Sequence, residues 1–137
     1  MEFKIPGKVQ AKQRPRFYNG RVYTQKKTIV YENLVKNVFK EYAEIYKWQP
    51  IEGAIRAEIK VFMKISKSDS KVVKKRKLEG YVRPTVTPDA DNLAKSILDS
   101  LNGLAYNDDK QIVELEVKKF YNETEEAVVK LIKLEVE

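Results

Sequence analysis

Two short acidic segments carry the residue types best suited to chemistry in this chain. Pro88-Asp89-Ala90-Asp91-Asn92-Leu93-Ala94-Lys95 sets two carboxylates two residues apart, with a lysine four residues after the second. Asn107-Asp108-Asp109-Lys110-Gln111 adds two more, so the acids fall within residues 89–109. The chain has no His and no Cys. That excludes disulfide scaffolds, zinc sites built on Cys or His, haem ligation, and Cys–His or Ser–His–Asp catalysis. A cluster of Asp without His is a hard-oxygen site suited to Mg²⁺ or Mn²⁺. Two such ions can activate a water and stabilise the leaving 3′-oxygen of a phosphodiester. Lys95, four residues from Asp91 on a helix, shares its face and is placed to orient that water or stabilise charge on the phosphate. Each piece also has a plainer structural reading. Asp at a helix start is favoured by capping and the macrodipole, and Asn-Asp-Asp is ordinary turn composition.

The elements that must position these groups are legible as patterns. Phe3 and Ile5 alternate with Lys4 and stop at Pro6-Gly7, a short strand ending in a turn. Residues 8–23 mix basic residues with Phe17, Tyr18 and Tyr23, and Asn19-Gly20 within them signals a hairpin. Val30, Leu34, Val38, Tyr42 and Ile45 recur at helical spacing, widened by Tyr31, Val35, Phe39 and Tyr46. This predicts a helix over about 26–47, capped by Thr24 or Thr28 and bounded by Pro50. Residues 54–64 alternate as a half-buried strand, with Phe62 interrupting the polar face. Residues 66–84 are basic and without period, and are expected to form a long exposed, flexible loop. From Pro88 the pattern is helical again, with Leu93, Ile97, Leu98 and Leu101 in a stripe, Asp89 as N-cap and Asn102-Gly103 as stop. Residues 111–121 and 126–136 read as two strands. The expected fold is α/β (α+β): a small mixed sheet with two main helices, in one domain of 137 residues.

The net charge of +7 is unevenly placed. Residues 1–27 carry eight Lys/Arg and one Glu, and residues 66–88 carry seven Lys/Arg and two acids. Residues 89–137 hold six Lys/Arg and twelve acids. Basic segments favour a polyanion through counterion release, whereas an acidic centre would repel it unless metal ions neutralise the acids. That is the charge logic of a nuclease. Lys12, Arg14, Arg16, Lys74, Lys75, Arg76 and Lys77 are candidate phosphate contacts, and Tyr18 and Tyr81 are candidates to stack on unpaired bases. Trp48 reads as core or interface. No stretch resembles a signal peptide or a membrane span, and a chain without disulfides suits a reducing, cytoplasmic setting.

Pro88-Asp89-x-Asp91-Asn92-Leu93-x-Lys95-x-x-x-Asp99-x-Leu101, followed by Tyr106-Asn107-Asp108-Asp109-Lys110-Gln111-Ile112, resembles the signature of the RusA family. Gln13-Arg14-Pro15-Arg16-Phe17 is similar to the basic N-terminal segment of its Gram-positive members. These proteins are Holliday-junction resolvases, often carried by prophages. The resemblance implies a homodimeric, Mg²⁺-dependent endonuclease with no organic cofactor, which cuts two opposed strands of a four-way DNA junction in recombination and repair. It carries the catalytic roles onto Asp89, Asp91, Lys95 and Asp109, with the three acids as metal ligands. Asp108 stays open as the alternative ligand, since strand pleating would aim only one of the pair at the metal. Asp99 is read as a partner of Lys95 on the helix face. Two other classes remain: a non-enzymatic nucleic-acid-binding module whose acids are caps and turns, and a metal-dependent nuclease acting on another DNA or RNA structure.

Overall fold

The computed structural model describes residues 1–23 and 25–136. Along the chain run β1 (Glu2–Pro6), β2 (Arg16–Tyr18), β3 (Arg21–Tyr23), α1 (Lys26–Tyr46), β4 (Ile55–Lys64), α2 (Lys71–Leu78), α3 (Ala90–Ser100), a 3₁₀ turn (Asp109–Gln111), β5 (Ile112–Asn122) and β6 (Glu126–Lys133). This is a small α/β fold. Its main sheet has the order β1-β6-β4-β5, and β2-β3 form a separate two-stranded ribbon. β4 and β5 are parallel, so the chain between them must cross over, and α2 and α3 lie in that crossover. β6 does not pair with the strand before it. It inserts antiparallel between β1 and β4.

One face of the sheet makes the core. Phe3 and Ile5 of β1, Ala127, Val129 and Leu131 of β6, and Ile55, Ala57, Ile59 and Val61 of β4 are all buried. They alternate with Lys4, Val128, Lys130, Arg56, Glu58 and Lys60 on the other face, as a strand period of two requires. Phe62 is no anomaly there. It stacks on Phe120 of β5 with ring centroids 5.6 Å apart.

Several expectations are corrected. The α1 stripe is rotated: Tyr31, Val35 and Phe39 are buried, whereas Val30, Ile45 and Tyr46 are exposed. The apolar arc of this helix is wider than the surface it meets, so the sheet and α3 take its middle and leave the edges in solvent. Thr28 is not a cap. It sits buried in the first turn and accepts a hydrogen bond from the Gln13 amide, while Gln25 holds the N-cap position without a side-chain capping bond. The alternative cap, Thr24, lies outside the described residues. The segment 66–84 is not a continuous loop, because α2 forms within it, a third helix. Ser70 caps α2 by accepting from the Val73 amide, and Asp69 pairs with Lys77, whose ammonium sits 4.3 Å from the Tyr121 ring centroid of β5. No residue of α2 is buried. It is held by polar anchors, so no apolar period marks it in the sequence. Among the described residues no helix is long and apolar enough to cross a membrane.

Candidate active site

α3 earns its place by amphipathicity. Leu93, Ala94, Ile97 and Leu98 are buried, and Ser96 and Ser100 are buried by donating to the carbonyls of Leu93 and Ser96. The opposite stripe, at four-residue intervals, is Asp91, Lys95 and Asp99. The helix is tied to edge strand β5 through Lys119, which donates to the carbonyls of Val86 and Pro88 just ahead of the first turn. Asp89 occupies the N-cap position, yet its side chain makes no capping bond. Its carboxylate is therefore not explained by capping.

The second acidic segment is fixed by Tyr106 and Gln111. Tyr106 is fully buried and its hydroxyl donates to the Leu98 carbonyl at 2.6 Å, which pins the turn to the far end of α3. Gln111 accepts from the amides of Asn107 and Asp108 and donates to the carbonyls of Ile51 and Gly53. Asp108 and Asp109 thus sit at a 3₁₀ turn rather than at a strand start, and pleating does not choose between them. The cap does. Asp108 turns its carboxylate back to accept from the Lys110 amide, and that bond holds it below the usual carboxylate range. Asp109 faces α3. Burial, then Asp108 and then Asp99 push its carboxyl above the usual range.

Asp91, Lys95, Asp99 and Asp109 consequently line one shallow cleft of about 280 Å³ between α3 and β5, floored by Ala94, Leu98, Ile112 and Leu115. Asp89 stands a half turn before it, at the end where Lys119 is bonded. Lys95 makes no ion pair within 4 Å among the described residues. The expected Lys95–Asp99 pairing is replaced: Asp99 lies 3.4 Å from Lys12, which also binds Glu32 of α1. Burial lowers the Lys12 pKa, but the bond to Glu32 and the charges of Glu32 and Asp99 outweigh it and raise the group overall. Lys12 is thus engaged inside the fold, next to the acids. Arg14 just ahead of the ribbon and Arg16 on it are exposed, as are Lys75 and Arg76 on α2.

The model of the family described as endodeoxyribonuclease RusA matches residues 6–132. The chain belongs to the RusA family. The matched span takes in both acidic segments, the basic segments from residue 6 onward, and β4, β5 and nearly all of β6, while β1 lies outside it except for Pro6. This RusA-family chain is also 35% identical over 132 residues to the uncharacterized protein YqaN of Bacillus subtilis (strain 168), across 90% of this chain and 89% of that one. The activity that the family carries, endonucleolytic cleavage of DNA, is therefore the frame for the cleft.

The Tyr106 anchor gives a direct test of how the two acidic segments are held. Tyr106→Phe removes one buried hydroxyl, while the Leu98 carbonyl keeps its bond from the Leu101 amide. The expected cost is about 1 kcal/mol, read as a lower urea midpoint with an unchanged slope. A variant as stable as the wild type would show that the hydroxyl does not hold the turn.

Proposed function

We propose that this chain is a divalent-cation-dependent endonuclease that resolves four-way DNA junctions by paired nicks, acting in the cytoplasm as a homodimer. The observation that carries the reading is the cleft itself. Two acids and a lysine of α3 meet an acid of the 3₁₀ turn beside an edge strand, and the ribbon and α2 carry exposed basic residues. The donor set fits Mg²⁺, with Mn²⁺ as a substitute. Every candidate donor is a carboxylate oxygen. No group of three acids encloses a ready-made cage among the described residues, and Mg²⁺ is commonly held by one or two carboxylates, waters and substrate phosphate. Asp89, Asp91 and Asp109 would hold it. When bound it would supply Lewis-acid polarisation of the phosphate and a water acidic enough to attack it.

The remaining work falls to this chain's own groups. Lys95, unpaired at the cleft mouth, donates to the scissile phosphate as negative charge builds there. Lys12 holds Asp99 and so limits the charge the cleft presents to incoming DNA. Basic side chains on the ribbon and on α2 bind phosphates on the flanking arms. Two symmetric cuts need two identical sites about a two-fold axis, which a homodimer provides.

The test is a single gel. Purified protein is incubated with a labelled four-way junction, a duplex and an RNA hairpin, in Mg²⁺ or in EDTA. Symmetric, ligatable nicks on the junction alone, lost completely in EDTA, are expected. Salt-sensitive binding without a product would instead identify a non-catalytic binding module, and cleavage of RNA or duplex would reassign the substrate.

A further inference from the structure

The β2–β3 ribbon stands outside the main sheet and leaves its apolar side chains in solvent. Phe17 is 78% exposed, Tyr18 69% and Val22 57%. Single exposed apolar residues need no explanation, but three in six residues do. The turn between the strands is built for its purpose. Asn19 and Gly20 both have positive φ, at 49° and 72°, which is the two-residue turn whose twist matches a tight hairpin. Phe17 pairs with Val22 and Tyr18 with Arg21, so successive aromatic rings leave opposite faces of the ribbon.

Three further facts say what this ribbon meets. Arg14, Arg16 and Arg21 interleave with the aromatics, and no Asp or Glu occurs anywhere in residues 3–31. The ribbon's own segment is therefore basic without an opposing acid, as contact with a polyanion favours. The stem is anchored rather than free: the Lys12 amide donates to the Asn92 carbonyl at 3.1 Å, and Gln25 donates to the Arg14 carbonyl at 3.2 Å. Asn92 adjoins Asp91 in the first turn of α3, and the five residue steps from Lys12 to Phe17 span at most about 17 Å. Whatever lies in the cleft also lies within reach of the ribbon. An intact duplex offers no free base face to an aromatic ring, whereas a point where strands part does.

We propose that the β2–β3 ribbon is a base-stacking wedge: Phe17 and Tyr18 stack on bases exposed where the strands of a DNA junction part, while Arg14, Arg16 and Arg21 hold the adjoining phosphates. The wedge rests on the nuclease reading for its substrate and goes beyond it in naming a second contact, one that distinguishes a branch point from plain duplex.

The test compares Phe17→Ala/Tyr18→Ala with Phe17→Tyr/Tyr18→Phe, measuring affinity for a labelled junction and a matched duplex in EDTA across a salt series. The alanine pair should weaken junction binding about tenfold or more, leave duplex binding nearly unchanged and keep the salt slope of the wild type. The conservative pair should bind as the wild type does. Thermal unfolding should be the same for all three, since the ribbon lies outside the core. Junction affinity within twofold of wild type in the alanine pair would overturn the wedge, as would an equal loss on junction and duplex. Cleavage in Mg²⁺ separates the two readings. A wild type that needs the ribbon to bind junctions but never cuts them overturns the nuclease alone. A wild type that cuts junctions while the alanine pair binds them normally overturns the wedge alone.

Discussion

Asp91→Asn will abolish junction cleavage and leave junction binding intact. Asp91 sits exposed in the first turn of α3 and lines the cleft with Lys95 and Asp109. It has no ion-pair partner within 4 Å among the described residues, so its charge supports the fold only through the helix dipole. Asn preserves its shape and removes only the negative oxygen that a hard cation requires. Losing several kcal/mol of transition-state stabilisation corresponds to a rate decrease of about a thousandfold or more. Binding should hold or tighten, because one negative charge leaves a surface that faces phosphates. Single-turnover cleavage and a gel-shift titration on the same junction read the two effects separately. Retained cleavage would remove Asp91 from the site; loss of binding together with cleavage would make it a folding residue.

Much of this arrangement is written in local pattern, and the parts that are not have a common cause. α3 is legible because a period of three and four in Leu93, Ile97, Leu98 and Leu101 reports the side it buries. The hairpin is legible because Asn-Gly tolerates the positive φ that its turn demands. α2 leaves no such trace. Its stability comes from Ser70 at its start and from Lys77 resting on Tyr121, a ring contributed by a strand far along the chain. The partner of Asp99 is hidden for the same reason. Spacing alone points to Lys95, on the same helix, whereas the cation that reaches Asp99 is Lys12, brought in by the bond between its backbone and Asn92. Periodicity reports which way an element faces; it does not report which distant side chain will be there.

The neighbouring pair Asp108 and Asp109 offers the sharpest discrimination, because the sequence leaves Asp108 open as the alternative to Asp109 and the two side chains are held differently. Asp109→Asn should lower cleavage about a thousandfold, whereas Asp108→Asn should stay within about threefold of wild type. The reason lies in what each carboxylate already does. Asp108 accepts from the Lys110 amide within a capping box completed by Gln111, and Asn is as good a cap as Asp. Asp109 caps no backbone amide with its side chain, and its carboxyl lies against those of Asp108 and Asp99. Its amide is held by the Asn102 side chain, and its carboxylate is turned toward Asp99 and the cleft. Both substitutions remove one negative charge at adjacent positions, so any general easing of repulsion toward DNA is shared and cancels in the comparison. What remains between the two variants is role: the Asp108 carboxylate caps the Lys110 amide, and Asp109 lines the cleft. Cleavage rates on the same junction, with unfolding midpoints as the control for the turn, decide it. If Asp108→Asn proves inactive while Asp109→Asn cuts normally, the capping box must open when DNA binds, and the metal-facing acid is Asp108.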